Sequence, residues 1–331
     1  MKKFLALLLT LCLLAAAGCS SSDAPTSAPE PPAKTETPTQ MEAPPVEIEL
    51  PEPELEPEPE PEPLVISDPV VYTGSGDNVI EIEPFDDIWV LHIAGNSEGR
   101  HFAVKGYDAA GNYVDLFANT SEPYEGYVFD NTQSTCLLEV SASGEWTISL
   151  ESIYTMPYAA LGETVQGSGD SVYQVVANQN WYFEAAGNNE SHHFAVKGYD
   201  ARLNYVDLFI NTSEPYKGAC VDPYQETCIL TVTAENDFAI LVKPLAEAAA
   251  VPAPANVNGT GDYVFYIQNA GKTATVTGNA EGRHFSVKAF SAFGPDLLVN
   301  TTDPYEGTVM LDGGNMLIVV NGVGSWTFAA N

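Results

Sequence analysis

From Val70 onward the chain is a succession of short runs in which apolar and polar residues alternate, separated by clusters of Gly, Asn, Asp and Pro. The run from His101 to Tyr107 is typical: Phe102, Val104 and Gly106 fall on one side, and Ala103, Lys105 and Tyr107 on the other. Period-two alternation in segments rich in Val, Ile, Phe, Tyr and Thr predicts half-buried strands, and no stretch shows a convincing helical period. The pattern predicts about seven or eight strands in each of several units, and strands at such spacing pack as antiparallel sandwiches.

The same pattern occurs three times. GSGD at Gly74–Asp77, HFAVKGYD at His101–Asp108, VDLFANTSEPYEG at Val114–Gly126 and GEWTISL at Gly144–Leu150 define the first copy. The second has GSGD ending at Asp170, HFAVKGYD at His193–Asp200, VDLFINTSEPYKG at Val206–Gly218, and Phe238 in place of Trp146. The third has GTGD ending at Asp262, HFSVKAF at His284–Phe290, DLLVNTTDPYEG at Asp296–Gly307, and GSWTF around Trp326. Each unit is of domain size and should own a core. The expected organisation is repeat 1 over 65–157, repeat 2 over 158–248 and repeat 3 over 253–331, with Pro244–Ala255 as a linker.

The HFAVKGYD and VDLF strands predict a hairpin whose opposed residue numbers sum to a constant. A turn centred on Ala110 opposes Phe102 with Ala118, Val104 with Leu116 and Gly106 with Val114 on an apolar face. On the other face His101 meets Asn119, Lys105 meets Asp115 and Tyr107 meets Tyr113. The second copy pairs His193 with Asn211, Lys197 with Asp207 and Tyr199 with Tyr205; the third pairs His284 with Asn300 and Lys288 with Asp296. All but one of the five histidines lie at or beside this strand, which makes the polar face the candidate binding face. The alternative is that His–Asn and Lys–Asp are only cross-strand pairs on a solvated surface, each contributing about 0.2–1 kcal/mol.

Composition changes the picture at the N-terminus. Lys2 and Lys3 precede an apolar run from Phe4 to Leu14, then small residues up to Gly18: a secretory signal over 1–18, too short for a membrane span. Leu14-Ala15-Ala16-Ala17-Gly18-Cys19 resembles the lipobox of bacterial lipoproteins. That resemblance implies cleavage before Cys19, its lipidation, and a protein held on the exported face of the cell membrane, extracellular or periplasmic. Cleavage by an ordinary signal peptidase near Ala17 is the alternative. Residues 19–64 carry more than half of the 24 prolines and many acids against one base, Lys34, and cannot form a core. They are expected to be a disordered, extended stalk. The formal charge of −33 becomes more negative once the signal leaves, which repels phosphates and excludes most electrostatic nucleic-acid readers.

The repeated frame, GxGD before a strand, an aromatic-rich second strand and a closing GxW, resembles bacterial jelly-roll modules of the pre-peptidase C-terminal type. The resemblance implies jelly-roll-like sandwiches that contribute binding or folding support to secreted proteins.

Other chemistry is sparse. Asp77, Asp170 and Asp262 each offer one carboxylate in a Gly-rich loop, but no DxDxDG spacing occurs, so a turn cap is expected and no metal. Trp89, Trp146, Trp181 and Trp326 offer stacking surfaces for sugars, though the setting of Trp146 and Trp326 among apolar residues places them in the core. Tyr124, Tyr216 and Tyr305 follow proline in a turn and are the candidate aromatic platforms. Cys220 and Cys228 flank an expected hairpin centred on Tyr224, but Cys136 matches Cys228 while Val128 matches Cys220, which favours free thiols. No catalytic motif and no cofactor fingerprint occurs, so the chain is expected to be a non-enzyme. Repetition suits avidity, and the expectation is multivalent binding of a glycan or surface protein, with a structural envelope spacer as the alternative.

Overall fold

The computed structural model describes residues 66–331. The expected signal peptide, the expected lipidation site Cys19 and the expected stalk lie outside the described residues. The rest is all-β, with three sandwiches built on one plan. In the first, β1 (Val70–Ser75), β2 (Asn78–Glu81), β3 (Trp89–Gly95), β4 (Phe102–Tyr107), β5 (Tyr113–Thr120), β6 (Tyr124–Val128), β7 (Leu137–Ala142) and β8 (Glu145–Ser152) form two sheets. Their orders are β1-β8-β3-β6 and β2-β7-β4-β5. Every connection except β4–β5 crosses from one sheet to the other, which is the double Greek key of a jelly roll.

Alternation fills the space between the sheets. Leu91, Ile93, Phe102, Val104, Leu138, Val140, Ile148 and Leu150 point inward with Trp89 and Trp146. The second and third sandwiches repeat this around Phe183, Phe194 and Phe238, and around Phe265, Phe285, Trp326 and Phe328. All four tryptophans are buried, so none is a sugar platform. The first glycine of the GxGD turn makes room for the closing aromatic: a Cβ on Gly74 would lie 2.2 Å from the Trp146 ring, and one on Gly259 2.5 Å from that of Trp326.

Two segments depart from expectation. Pro244–Ala255 is structured rather than a free linker. Pro244 ends a strand, Leu245–Glu247 form a 3-10 turn, and Ala249–Pro252 pairs in parallel with Tyr263–Ala270 at the edge of the third sandwich. Tyr158–Ala160 does the same in the second sandwich, pairing in parallel with Ser171–Val176. The segment from Cys220 to Cys228 is not a hairpin, because the strand ending at Cys220 and the one starting at Ile229 belong to opposite sheets. Cys136, Cys220 and Cys228 are free thiols.

Candidate functional site

The β4–β5 hairpin forms, and Tyr107 faces Tyr113 as the sequence requires. The remaining register is corrected by two bulges. Phe102 opposes Thr120, Ala103 opposes Asn119, Val104 opposes Ala118, Lys105 opposes Leu116 and Gly106 opposes Asp115. A constant sum assumes no extra residue, and each bulge inserts one. At the step beside Lys105, the Asp115 carboxylate accepts from its own neighbour, the Leu116 amide, at 2.8 Å. Asp207 and Leu208 do the same in the second copy at 2.8 Å. The expected pairs Lys105–Asp115, Lys197–Asp207 and Lys288–Asp296 therefore do not form: the lysines oppose Leu116, Leu208 and Leu297.

Lys105 instead reaches across β7 to Glu139 at 2.8 Å, and the Tyr107 hydroxyl donates to the same carboxylate at 3.0 Å. These bonds hold the Glu139 carboxyl below its usual range and raise the lysine. Thr231 and Val319 occupy the position of Glu139 in the other copies, so the ion pair belongs to repeat 1. The His–Asn contact survives as a diagonal. His193 Nε2 lies 3.1 Å from Asn211 Oδ1 and His284 Nε2 3.2 Å from Asn300 Oδ1; His101 and Asn119 make no such bond.

The face carrying these residues is not simply solvated. In repeats 2 and 3 its apolar part is covered by the preceding sandwich, while the His–Asn contacts stay exposed. Val90, Phe129, Ile153 and Met156 of the first pack on Val172, Tyr199 and Ile229 of the second, with Phe129 edge-on to Tyr199 at 5.3 Å. Tyr182, Val221, Leu245 and Ala248 of the second pack on Val264, Leu317 and Val319 of the third.

A hydrogen bond repeats at both junctions. The Tyr124 hydroxyl donates to Asp170 Oδ2 at 2.7 Å, and Tyr216 donates to Asp262 Oδ2 at 2.8 Å. Each aspartate also caps its own repeat, accepting from the Ala234 amide at 3.0 Å and the Gly322 amide at 2.8 Å. Burial pushes both carboxyls above their ordinary value and both phenols upward. Tyr124 and Tyr216 are thus fasteners between repeats, not exposed platforms. Tyr305 packs against the third core in the same way.

The second junction leaves a groove of about 910 Å³ beside the covered patch. It brings together His284, Lys288, Asp296 and Asn300 of repeat 3 with Asp207 and Asn211 of repeat 2. Tyr224, at 63% exposure, stands at its rim with its ring edge-on to Phe290 at 6.4 Å. At the first junction Asp115 lies close enough to Tyr199 to add to the upward shift that burial gives its hydroxyl. His101, Lys105 and Asn119 lie on the first copy of this hairpin and line no part of that groove.

No family model matches the chain. No curated protein matches it either. Among solved structures, the chain is similar to the regulatory subunit of a cAMP-independent protein kinase A from Trypanosoma cruzi bound to guanosine, at 9% identity and a TM-score of 0.17 over 53% of this chain and 72% of that one. It is also similar to the M60 catalytic domain with the CBM51-1 and CBM51-2 domains of Clostridium perfringens ZmpB, at 9% identity and a TM-score of 0.19 over 80% of this chain and 34% of that one. At such scores neither likeness carries an argument.

Two sets of residues shape the site without having stood out in the sequence. Asp222 is buried and accepts from the Tyr224, Glu226 and Thr227 amides and the Thr227 hydroxyl at 2.7–2.9 Å, which fixes the loop that presents Tyr224. Gln225 ties that loop to both backbone groups of Trp181, at 2.6 and 3.0 Å. Asp130 and Gln133 do the same in repeat 1, so a D-x-x-Q-x-T spacing shared by two copies was the available signal. Asn96, Asn188 and Asn279 are buried at positive φ, each clamping the turn before the histidine strand to the loop before the Pro-Tyr pair.

Proposed function

We propose that the chain is a lipid-anchored surface protein that binds an extracellular or cell-wall ligand in grooves formed where consecutive sandwiches meet, with a glycan as the ligand class. One observation carries this reading: the groove at the second junction gathers Asp207, Asn211, His284, Lys288, Asp296 and Asn300 from two repeats. Its volume suits a small ligand. Amide and carboxylate side chains beside an exposed aromatic ring suit a sugar, whose hydroxyls bond sideways while its C–H face stacks. The strongly negative chain disfavours anionic ligands. In this reading Cys19 carries the lipid and the acidic stalk supplies reach. The first junction has Thr132 in place of Tyr224, so it offers no ring for a sugar to stack on and is the weaker candidate.

The test is retention of the exported chain on glycan arrays and isolated cell-wall fractions. Tyr224→Ala and Asn300→Ala should each weaken retention about tenfold without lowering Tm. No retention of the wild-type chain, or equal retention of Tyr224→Ala, would overturn the reading. A second reading, a rigid spacer without a ligand, is favoured by the apolar packing and buried Tyr–Asp bonds that hold consecutive sandwiches together.

A further inference from the structure

Both halves of the junction bond recur at the two ends of the described array, and there no described residue meets either half. Asp77 Oδ1 accepts from the Ala142 amide at 3.0 Å, as Asp170 and Asp262 accept within their own repeats, so its second oxygen is held in the same orientation. Yet Asp77 is exposed, and that oxygen takes no hydrogen bond from any described residue. At the other end the Tyr305 hydroxyl lies over Gly307, where a Cβ would meet it at 2.6 Å. The matching distances are 2.9 Å for Tyr124 over Gly126 and 2.7 Å for Tyr216 over Gly218. The phenol is thus poised as its counterparts are, and it donates to no described residue.

The surrounding faces also match. Val79, at 64% exposure, occupies the position where Val172 and Val264 are 2% exposed beneath a neighbouring repeat. Leu137 stands where Ile229 and Leu317 are covered. Met310, at 68% exposure, occupies the position of Phe129 and Val221, which do the covering.

We propose that a second copy of this chain joins these ends, the Tyr305 hydroxyl of one copy donating to Asp77 of the next. The contact continues the internal junction, so it is head-to-tail and extends the array as an open string rather than closing into a dimer. It is weaker than the internal junctions for two reasons. Thr273 and Thr308 stand where Val90 and Tyr127 pack in the first repeat, and Glu139 where Val319 packs in the third. Two separate chains also lack the raised effective concentration of a covalent tether. Crowding on a membrane surface would restore part of that concentration.

The test is sedimentation velocity of the exported chain carrying Cys19→Ser, so that acyl groups cannot drive association, from about 10 μM to about 1 mM. The expected result is a sedimentation coefficient that rises with concentration. Tyr305→Phe and Asp77→Asn should each shift that rise to concentrations about tenfold higher or more. An equimolar mixture of the two variants should recover a two-chain species and nothing longer, because one supplies an intact Asp77 and the other an intact Tyr305. A single unchanging coefficient for the wild type, wild-type association by either variant, or no recovery in the mixture would overturn the proposal. Unchanged Tm values show that both variants remain folded.

Discussion

Replacing Gly218 by alanine places a methyl group inside the second junction. An ideal Cβ there lies 2.7 Å from the Tyr216 hydroxyl and 3.0 Å from Asp262 Cβ, so something must move. The ring of Tyr216 cannot turn away without giving up its bond to Asp262. A hydrogen bond to a charged group contributes about 1.5–3 kcal/mol, and alanine in a strand regains about 0.5–1 kcal/mol over glycine. The expected net loss is about 1–2 kcal/mol. Gly307→Ala is the matched control. Its Cβ meets the Tyr305 hydroxyl at 2.6 Å, but no described repeat lies beyond it, so the phenol can shift outward with its ring still on the core and without breaking a junction bond. At low protein concentration its stability should stay within about 0.5 kcal/mol of wild type.

Urea unfolding followed by tryptophan fluorescence reads both variants, since Trp181 and Trp326 are buried in the second and third sandwiches. Several sandwiches need not unfold as one unit, so the midpoint of the earliest transition is compared rather than a global free energy. Equal losses at Gly218 and Gly307 would refute the reasoning, because the local crowding of tyrosine is common to both and only the junction differs.

The junction aspartates also predict a pH dependence. Burial raises the folded-state pKa of Asp170 and Asp262, so the stability each contributes is full below the ordinary carboxylate value of 3.8 and is lost as pH rises through the raised folded value. The Tm difference between wild type and Asp262→Asn should therefore shrink from about pH 4 toward neutrality; a difference that grows would contradict the burial argument. Asn188→Ala removes bonds of 2.6, 2.8 and 2.9 Å at a residue with φ of 61°, and should cost about 2–4 kcal/mol by thermal melting, with Asn188→Gly recovering the backbone share. Reductant should leave Tm unchanged, because Cys136, Cys220 and Cys228 are unpaired; a reductant-dependent fall would reveal a bridge.

What could be read from the sequence follows from the jelly roll itself. Alternation located the strands, and the β4–β5 hairpin was recognisable because it is the one connection in each copy that stays within a sheet. The same reasoning failed between Cys220 and Cys228, where a run of similar length crosses between sheets. Hairpin register failed beside Lys105, where a bulge that periodicity cannot see shifts the pairing, as it does in the other two copies. The Tyr–Asp fasteners were hidden for a different reason: Tyr124 and Asp170 lie in different copies, and comparing copies with one another aligns each residue with its counterpart and not with its partner.

That distinction bears on function. GxGD serves each sandwich, by seating the closing aromatic and capping its own repeat, and its aspartate also meets the tyrosine of PYxG at both internal junctions, so the recurrence of these motifs follows from folding and stacking together. A ligand can be sought more profitably where the copies differ on the same frame. Thr132 and Tyr224 stand at one loop position, and only the tyrosine offers a ring to a groove. Glu139, Thr231 and Val319 stand at one strand position, and the ion pair with Lys105 appears on repeat 1, whose face no described sandwich covers. Substitutions at these variable positions should move binding or assembly while leaving each sandwich intact, whereas substitutions in the shared motifs should loosen the array before they touch a ligand.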